Sequence, residues 1–182
     1  MAELLILALL AFAPTYVDQA TAGTNVEAAT LAFRDTDIPA EVLLAMAYVE
    51  SRYSPTSFSR MMCSKGKCKR VTGEWDKPEP PEGARPTFYC GIMQVGGDVP
   101  WEQCRTLMTD IRLNYLTGAQ HLKKWMSDPR CRALKGEERM KCGLRGYGGG
   151  YPGIANLEMT YPNRILSIAA RIRRLASKRS NA

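Results

Sequence analysis

The sequence predicts a single, mainly α-helical domain. Apolar residues recur at helical spacing over several stretches, whereas the alternating patterns typical of strands are few. A length of 182 residues fits one domain. The composition, 45% hydrophobic and 24% charged, is ordinary for a globular protein. We therefore expect helices packed around one hydrophobic core.

The N-terminus resembles a secretory signal peptide. An apolar run from Leu4 to Ala13 is followed by the small-x-small pattern Ala20-Thr21-Ala22, which predicts a signal peptide over 1–22 and a domain over 23–182. Cleavage there would raise the formal charge from +7 to +9, because Glu3 and Asp18 are the charged residues removed. The alternative is an amphipathic or buried first helix, since no Lys or Arg precedes the run.

The first half of the domain contains two predicted helices. Residues 26–34 form a short one, and Asp37 with Pro39 marks the start of the next. Residues 40–51 are apolar on nearly every side, which predicts a helix that is buried all round and ends before Tyr53.

The segment 60–89 differs from its surroundings. It is rich in lysine and proline and lacks hydrophobic periodicity, so we predict a long irregular surface loop stapled by a disulfide. Residues 63–86 should then be dispensable for folding. A specific role as a lip over a binding cleft is the alternative.

Helical patterns return after Thr109. One face recurs through Ile111, Tyr115, Gly118, Leu122 and Trp125. Residues 136–145 form a shorter helix that leads into a glycine cluster at 146–150. A last amphipathic helix carries Ile165, Ile168, Ala169, Ile172 and Ala176 on one face, with several basic residues nearby.

Six cysteines indicate an oxidising compartment. An even number in a small chain with an export-like N-terminus predicts three disulfides, for which many pairings are possible. Neighbour pairing closes the shortest loops: Cys63 with Cys68, Cys90 with Cys104, and Cys131 with Cys142. Zinc is disfavoured, because the chain has no C-x-x-C motif and His121 is its only histidine.

The net charge of +7 suggests an anionic partner. Nucleic acid, an anionic membrane surface and an acidic polymer such as bacterial cell wall are the candidates. No nucleic-acid recognition motif is present. No apolar run reaches the roughly 20 residues of a membrane span, so we expect no stable membrane insertion.

Glu50 is the leading candidate for chemistry. It shares a helix face with Leu43 and Ala47 and lies at the C-terminal end of the buried helix. Both desolvation and the negative end of the helix dipole favour a protonated carboxyl, which can act as a general acid. A solvated Glu or one paired with Arg52 is the alternative.

Four motifs follow in a recognisable order. Glu50-Ser51 is followed by Ser59, then by GIMQV at 91–95, GYGGG at 146–150, and Tyr161 within YPNRIL. Together they resemble the soluble lytic transglycosylases of the lysozyme-like superfamily, whose patterns are Glu-Ser, Gly-Leu-Met-Gln, Ala-Tyr-Asn-Ala-Gly and a late Tyr. The resemblance covers about residues 26–175 and implies a lysozyme-like (goose-type lysozyme or transglycosylase) fold.

The resemblance also implies a role for each matching residue. Glu50 would be the single catalytic acid and then base, and no metal or cofactor would be needed. The substrate would be peptidoglycan glycan strands, cleaved by a periplasmic or secreted monomer, in a bacterium, a phage particle or a secretion apparatus. The implied substrate-site residues are Ser59 for the muramyl C6 hydroxyl, Met93 and Gln94 for the cleft floor, Gly91 for close backbone approach, Tyr147 for the sugar site, and Tyr161 for positioning Glu50.

Two departures separate this chain from the family pattern. Gly148 stands where the family has Asn, and the gap from Glu50 to Gly91 is longer. A goose-type lysozyme-like hydrolase and a catalytically weak wall-binding module therefore remain alternatives. Asp98 and Asp76 are the nearest candidates for the second carboxylate that a hydrolase usually needs.

Overall fold

The computed structural model describes residues 2–64, 67–72, 87–97 and 101–180. Within these residues it is mainly helical, as expected, and none of the helices there has the length and hydropathy needed to cross a bilayer. The helices are α1 (Ala2–Leu10), α2 (Gln19–Thr36), α3 (Ala40–Ser51), α4 (Trp101–Thr109), α5 (Ile111–Met126), α6 (Pro129–Arg132), α7 (Gly136–Ala155) and α8 (Tyr161–Ser180).

Helix α3 is the centre of the core. Every residue from Val42 to Ala47 is buried, which confirms the prediction of a helix buried all round. Helices α2 and α8 pack against it. The helix ends at Ser51, where Arg52 and Tyr53 both adopt left-handed backbone conformations (φ 57° and 68°) that stop the helical ladder.

Helix α1 is packed into the same core. It contacts α2 and α8, and Leu5, Ala8 and Leu9 are buried. Helix α2 begins earlier than the predicted residue 26, because the side chain of Asp18 caps it by accepting the N–H of Thr21 at 2.8 Å. Cleavage after Ala22 stays a prediction, and a cut at that point would fall within α2.

The prediction of an irregular loop over 60–89 is wrong where the structure describes this segment. An antiparallel sheet of order β2-β1-β3-β4 contains β1 (Phe58–Ser64), β2 (Lys67–Thr72), β3 (Thr87–Cys90) and β4 (Val95–Gly97). The sequence does not indicate this hairpin, because basic residues interrupt the alternation of apolar and polar residues by which a strand is recognised. Residues 73–86 lie outside the described residues. That the segment 63–86 is dispensable for folding stays a prediction.

Two of the three expected disulfides are described. Cys90–Cys104 joins β3 to α4, and Cys131–Cys142 joins α6 to α7, both as neighbour pairing predicts. The strand register places Cys63 opposite Cys68, whose side chains lie outside the described part of the chain. No free cysteine occurs among the described residues.

Helix α7 is longer than the predicted 136–145. It continues through the glycine cluster to Ala155, with one break at Gly150 (φ 61°, ψ −149°), a conformation open to glycine alone. The glycines let α7 approach α5 closely. A Cβ atom at Gly143 would lie 2.3 Å from Met126 Cγ, and one at Gly146 would lie 2.6 Å from the Trp125 ring.

The remaining predicted faces are confirmed. Tyr115, Gly118 and Leu122 of α5 are buried. In α8 the buried residues include Ile165, Ala169, Ile172 and Ala176, while Ile168 is half-buried and packs against the core. The basic residues of α8 are therefore left on its outer face, where Arg171, Arg173 and Arg174 are exposed.

We predict that Gly143→Ala lowers the free energy of unfolding by about 1–3 kcal/mol, because the added methyl group forces α5 and α7 apart. Gly149→Ala is the matched control in the same helix, since its Cβ would stand at an ordinary 3.6 Å from Met159. It should change stability little, or raise it by up to about 1 kcal/mol. Equal urea midpoints for the two variants would contradict the close contact.

Candidate functional site

Glu50 lies in the last turn of α3 and is half-buried. The hydroxyl of Tyr161, the first residue of α8, donates a short hydrogen bond to its Oε1 atom. The two residues are 111 positions apart in the sequence, and the packing of α8 against α3 brings them together. The sequence placed both residues in one site, and the structure confirms that they meet.

Tyr147 of α7 is the third member of the site. Its hydroxyl donates to the carbonyl oxygen of Met93 at 2.6 Å. Burial raises the pKa of Tyr147 well above its usual value, and the charge of Glu50 raises it further. The pKa of Tyr161 is raised by the same causes in the same order. Both phenols therefore stay protonated and act as hydrogen-bond donors around Glu50.

The GIMQ turn, defined as residues 91–94, connects β3 to β4 and has a demanding geometry. Gly91 has φ 72°, and a Cβ there would lie 2.3 Å from Asn114 Nδ2, so no other residue fits. The buried side chain of Asn114 holds the turn through two hydrogen bonds. Its Oδ1 accepts the N–H of Met93 at 2.8 Å, and its Nδ2 donates to the carbonyl of Cys90 at 3.0 Å.

Ser51 links this turn to α3. Its hydroxyl hydrogen-bonds the Ile92 carbonyl at 2.9 Å and the Ala47 carbonyl at 3.2 Å. The residue that follows Glu50 is thus anchored to the turn that accepts the hydrogen bond of Tyr147. Sequence reasoning quoted Ser51 only as part of a motif and missed Asn114, because a buried Asn in a helix has no local signature.

Three of the predicted substrate-site residues lie beneath the surface. Ser59 is 2% exposed, and its hydroxyl is 3.1 Å from Gln94 Oε1. Gln94 donates in turn to the carbonyls of Ser57 and Gly91 at 3.0 and 2.9 Å. Met93 is fully buried and lies where a Cβ at Gly118 would touch it. In this structure these side chains shape the turn from inside and are not available for direct sugar contact.

Gly148 is accommodated in α7 for a packing reason. Its backbone is ordinary helix, whereas the conformation that requires glycine occurs at Gly150. A Cβ at Gly148 would lie 2.9 Å from Met159 Cε and 3.0 Å from the ring of Tyr161. The small residue leaves room for Tyr161 to lie across α7 and reach Glu50.

Three charged residues were named as alternatives from the sequence: Asp98 and Asp76 as second carboxylates, and Arg52 as a partner of Glu50. Asp98 and Asp76 lie outside the described residues. The guanidinium of Arg52, the proposed alternative partner of Glu50, lies 4.4 Å from the centre of the Tyr48 ring and donates to the Tyr48 hydroxyl. Arg52 therefore has contacts of its own at the end of α3.

An aromatic cluster adjoins the site and was missed by sequence reasoning. His121 contacts Tyr147 with ring centres 5.2 Å apart, and Trp125 contacts Tyr151 at the same separation. Trp125 Nε1 donates to His121 Nε2 at 2.9 Å. The signal that could have revealed the cluster is the spacing of four between aromatic side chains in both α5 and α7.

Comparison with known proteins gives no relative. No family model matches the chain, and no curated protein or solved structure is significantly similar to it. Across the residues that the structure describes, no group of three or more His, Cys, Asp or Glu side chains is placed to hold a metal ion. The function must therefore be inferred from the site itself.

We predict that part of the acid sensitivity of the fold depends on His121. Burial, followed by the charge of Lys124, lowers the pKa of His121 below its ordinary 6.5, and its Nε2 accepts a hydrogen bond only when unprotonated. This stabilisation is present above pH 6.5 and is lost as the pH falls from 6.5 through the lower pKa of the folded state.

The comparison is with His121→Gln, which keeps an acceptor for Trp125 but does not titrate. Denaturant titrations between pH 7.5 and 5 should show a smaller loss of unfolding free energy in the variant than in the wild type. Because the chain has a single histidine, the difference isolates this side chain. Parallel curves would contradict the burial of a neutral His121.

Proposed function

We propose that this protein is a lytic transglycosylase with a lysozyme-like fold. It cleaves the β-1,4 bond between N-acetylmuramic acid and N-acetylglucosamine in peptidoglycan without water, and leaves 1,6-anhydromuramyl ends. The observation that carries the proposal is the Tyr161–Glu50 hydrogen bond at the end of a buried helix. A half-buried carboxyl held by a phenol, beside a second phenol, is suited to proton transfer.

In the first step Glu50 acts as the acid. Its proton passes to the glycosidic oxygen, and the bond from that oxygen to C1 of the muramyl sugar breaks. The carbonyl oxygen of the substrate's own N-acetyl group takes up the developing positive charge at C1, so a second carboxylate is not required. This step requires Glu50 to be protonated when the glycan binds.

In the second step the same carboxylate acts as the base. It removes the proton of the muramyl C6 hydroxyl, whose oxygen attacks C1 and closes the anhydro ring while the bond from C1 to the N-acetyl oxygen breaks. Glu50 is then protonated again and ready for the next bond. Tyr161 stabilises the carboxylate that exists between the two steps, because its hydroxyl donates to Oε1 in the charged form.

The GIMQ turn supports the carboxylate without touching the reaction. Ser51 fastens the end of α3 to Ile92, and Tyr147 is fixed by the carbonyl of Met93. Both contacts depend on a turn shape that Asn114 holds. The buried residues of the motif therefore act as positioning residues for Glu50 and Tyr147.

Of the two alternatives, the wall-binding module rests on a specific observation. A wall-binding module with little turnover is favoured by the burial of Ser59 and Met93, which the resemblance assigned to the substrate. A hydrolase of the same bond requires a carboxylate such as Asp98 or Asp76 opposite Glu50. The wall-degrading proposals share a periplasmic or secreted location, with which the two described disulfides are compatible.

We predict that Glu50→Gln reduces the rate of wall digestion by about 10²- to 10⁴-fold, because the amide cannot transfer a proton. The measurement is release of soluble fragments from purified sacculi. Stability should hold or rise slightly, since a half-buried carboxyl is seldom the best residue for a fold.

The control for this variant is Glu41→Gln. Glu41 is on the same helix but near its start, where it forms an ion pair with Arg173. Breaking that pair should cost little stability and leave the digestion rate unchanged. Digestion by Glu50→Gln at the rate of Glu41→Gln would end the proposal.

We also predict that Tyr161→Phe lowers kcat by about 10- to 100-fold and leaves KM nearly unchanged. A hydrogen bond to a charged group contributes about 1.5–3 kcal/mol, and this one is made to the catalytic carboxyl. Tyr16→Phe is the matched control, because the hydroxyl of Tyr16 donates only to the backbone carbonyl of Arg52 on the surface. If both variants keep the wild-type kcat, Tyr161 has no role in the chemistry.

A further inference from the structure

Two pairs of aromatic rings extend from Glu50 along α5 and α7. His121 and Trp125 are four residues apart in α5, and Tyr147 and Tyr151 are four apart in α7. In the inner pair the ring of Tyr147 contacts that of His121, and Tyr147 is close enough to Glu50 for the carboxylate charge to raise its pKa. The outer pair is Trp125 and Tyr151. Ring centres of His121 and Trp125 are 6.1 Å apart, so the four rings form one continuous ladder.

The outer pair is held in place without being buried. The ring of Trp125 packs against the backbone of Gly146, where any side chain would clash with it. Tyr151 meets the Trp125 ring edge-on at 79° and is still 64% exposed. The guanidinium of Arg130 lies 4.8 Å from the ring centre. Tyr151 is thus an aromatic ring that contacts Trp125 and Arg130 and presents most of its surface to solvent.

Arg130 is itself fixed in this position. Its Nε and Nη2 atoms donate to the two carboxylate oxygens of Asp128 at 2.8 and 3.1 Å. The carboxylate of Asp128 also caps α6 by accepting the N–H of Arg130 at 3.0 Å. The guanidinium of Arg130 interacts with the Tyr151 ring through a cation–π contact. Most of the surface of Tyr151 is still exposed for another contact.

We propose that Trp125 and Tyr151 form a second sugar-binding subsite, one sugar away from the bond cleaved at Glu50. A pyranose ring has apolar C–H faces and polar edges, and it stacks on exposed aromatic rings. The outer pair is one helical turn, about 5.4 Å, beyond the inner pair, a distance similar to the length of one sugar. The inference rests on the proposed function, because it assigns the ligand as a glycan strand.

A purely structural role is the competing explanation. The cluster could serve only to attach the second half of α7, after the break at Gly150, to α5. The two explanations differ for Tyr151, since the removal of a ring that is 64% exposed costs little packing but takes away most of a stacking surface. A binding measurement therefore separates them.

The test uses the full-length chain with Glu50→Gln, so that bound glycan is not consumed. Binding of N-acetylglucosamine oligomers of two to six sugars is followed by tryptophan fluorescence and checked by calorimetry. Tyr151→Ala should weaken the affinity for the longer oligomers by about five- to tenfold and leave that for the disaccharide unchanged. Tyr151→Phe, which keeps the ring, should restore the affinity.

The matched control is Phe33→Ala, another partly exposed ring, which lies on α2 beside α1 and the start of α3. It should bind every oligomer as the parent does. Equal affinities of Tyr151→Ala and Phe33→Ala for the longest oligomer, at equal melting temperatures, would overturn the subsite. A loss of affinity at all lengths together with a lower melting temperature, unrestored by Tyr151→Phe, would also overturn it in favour of the structural role.

This result is independent of the catalytic assignment. In the background with an intact Glu50, Tyr151→Ala should raise KM for sacculi and leave kcat unchanged. If Glu50→Gln digests sacculi normally while Tyr151→Ala still loses length-dependent binding, the proposed mechanism fails and the subsite holds. If Glu50→Gln is inactive but Tyr151→Ala binds like its parent, the mechanism holds and the subsite fails.

Discussion

The burial of α3 fixes the position of Glu50, and the other features of the candidate site depend on it. Six consecutive residues, Val42 to Ala47, are inaccessible to solvent, so the helix can neither rotate nor slide without exposing them. Its last turn emerges with Glu50 half-exposed, and Ser51 ties that turn to Ile92. A carboxyl on a surface helix could not be held as firmly against Tyr161. The fold thus supplies the rigid support that acid–base chemistry requires.

Close packing of α5 and α7 supplies the other side of the site. Gly143 and Gly146 remove the side chains that would keep these helices apart, and Gly91 does the same where the GIMQ turn meets Asn114. Tyr147 consequently reaches the Met93 carbonyl from α7. The glycine cluster that resembles a loop motif is therefore an interface, and its one glycine-specific backbone conformation, at Gly150, comes directly before the exposed ring of Tyr151.

The sequence predicts the helices better than the sheet, and the pairing of site residues better than their exposure. The all-round apolar pattern of 40–51 predicts α3 and places Glu50 at its end, because burial and helical periodicity are local properties. The strands β1 and β2 escape prediction because their basic residues interrupt the alternation of apolar and polar residues that indicates a strand. The resemblance assigns Ser59 and Met93 to the substrate site, but both are buried, and their contacts with Gln94 and Gly118 join residues that are distant in sequence.

Glu50 is proposed to cleave the glycan by transferring the muramyl C1 from the leaving sugar to the substrate's own C6 hydroxyl. Digestion of sacculi in water enriched in ¹⁸O, followed by mass spectrometry of the released muropeptides, tests this proposal most directly. We expect muramyl ends that are lighter than the reducing form by one water and that carry no ¹⁸O. Reducing muramyl ends with one ¹⁸O at C1 would show hydrolysis and contradict it, and an absence of released fragments would leave only a wall-binding module.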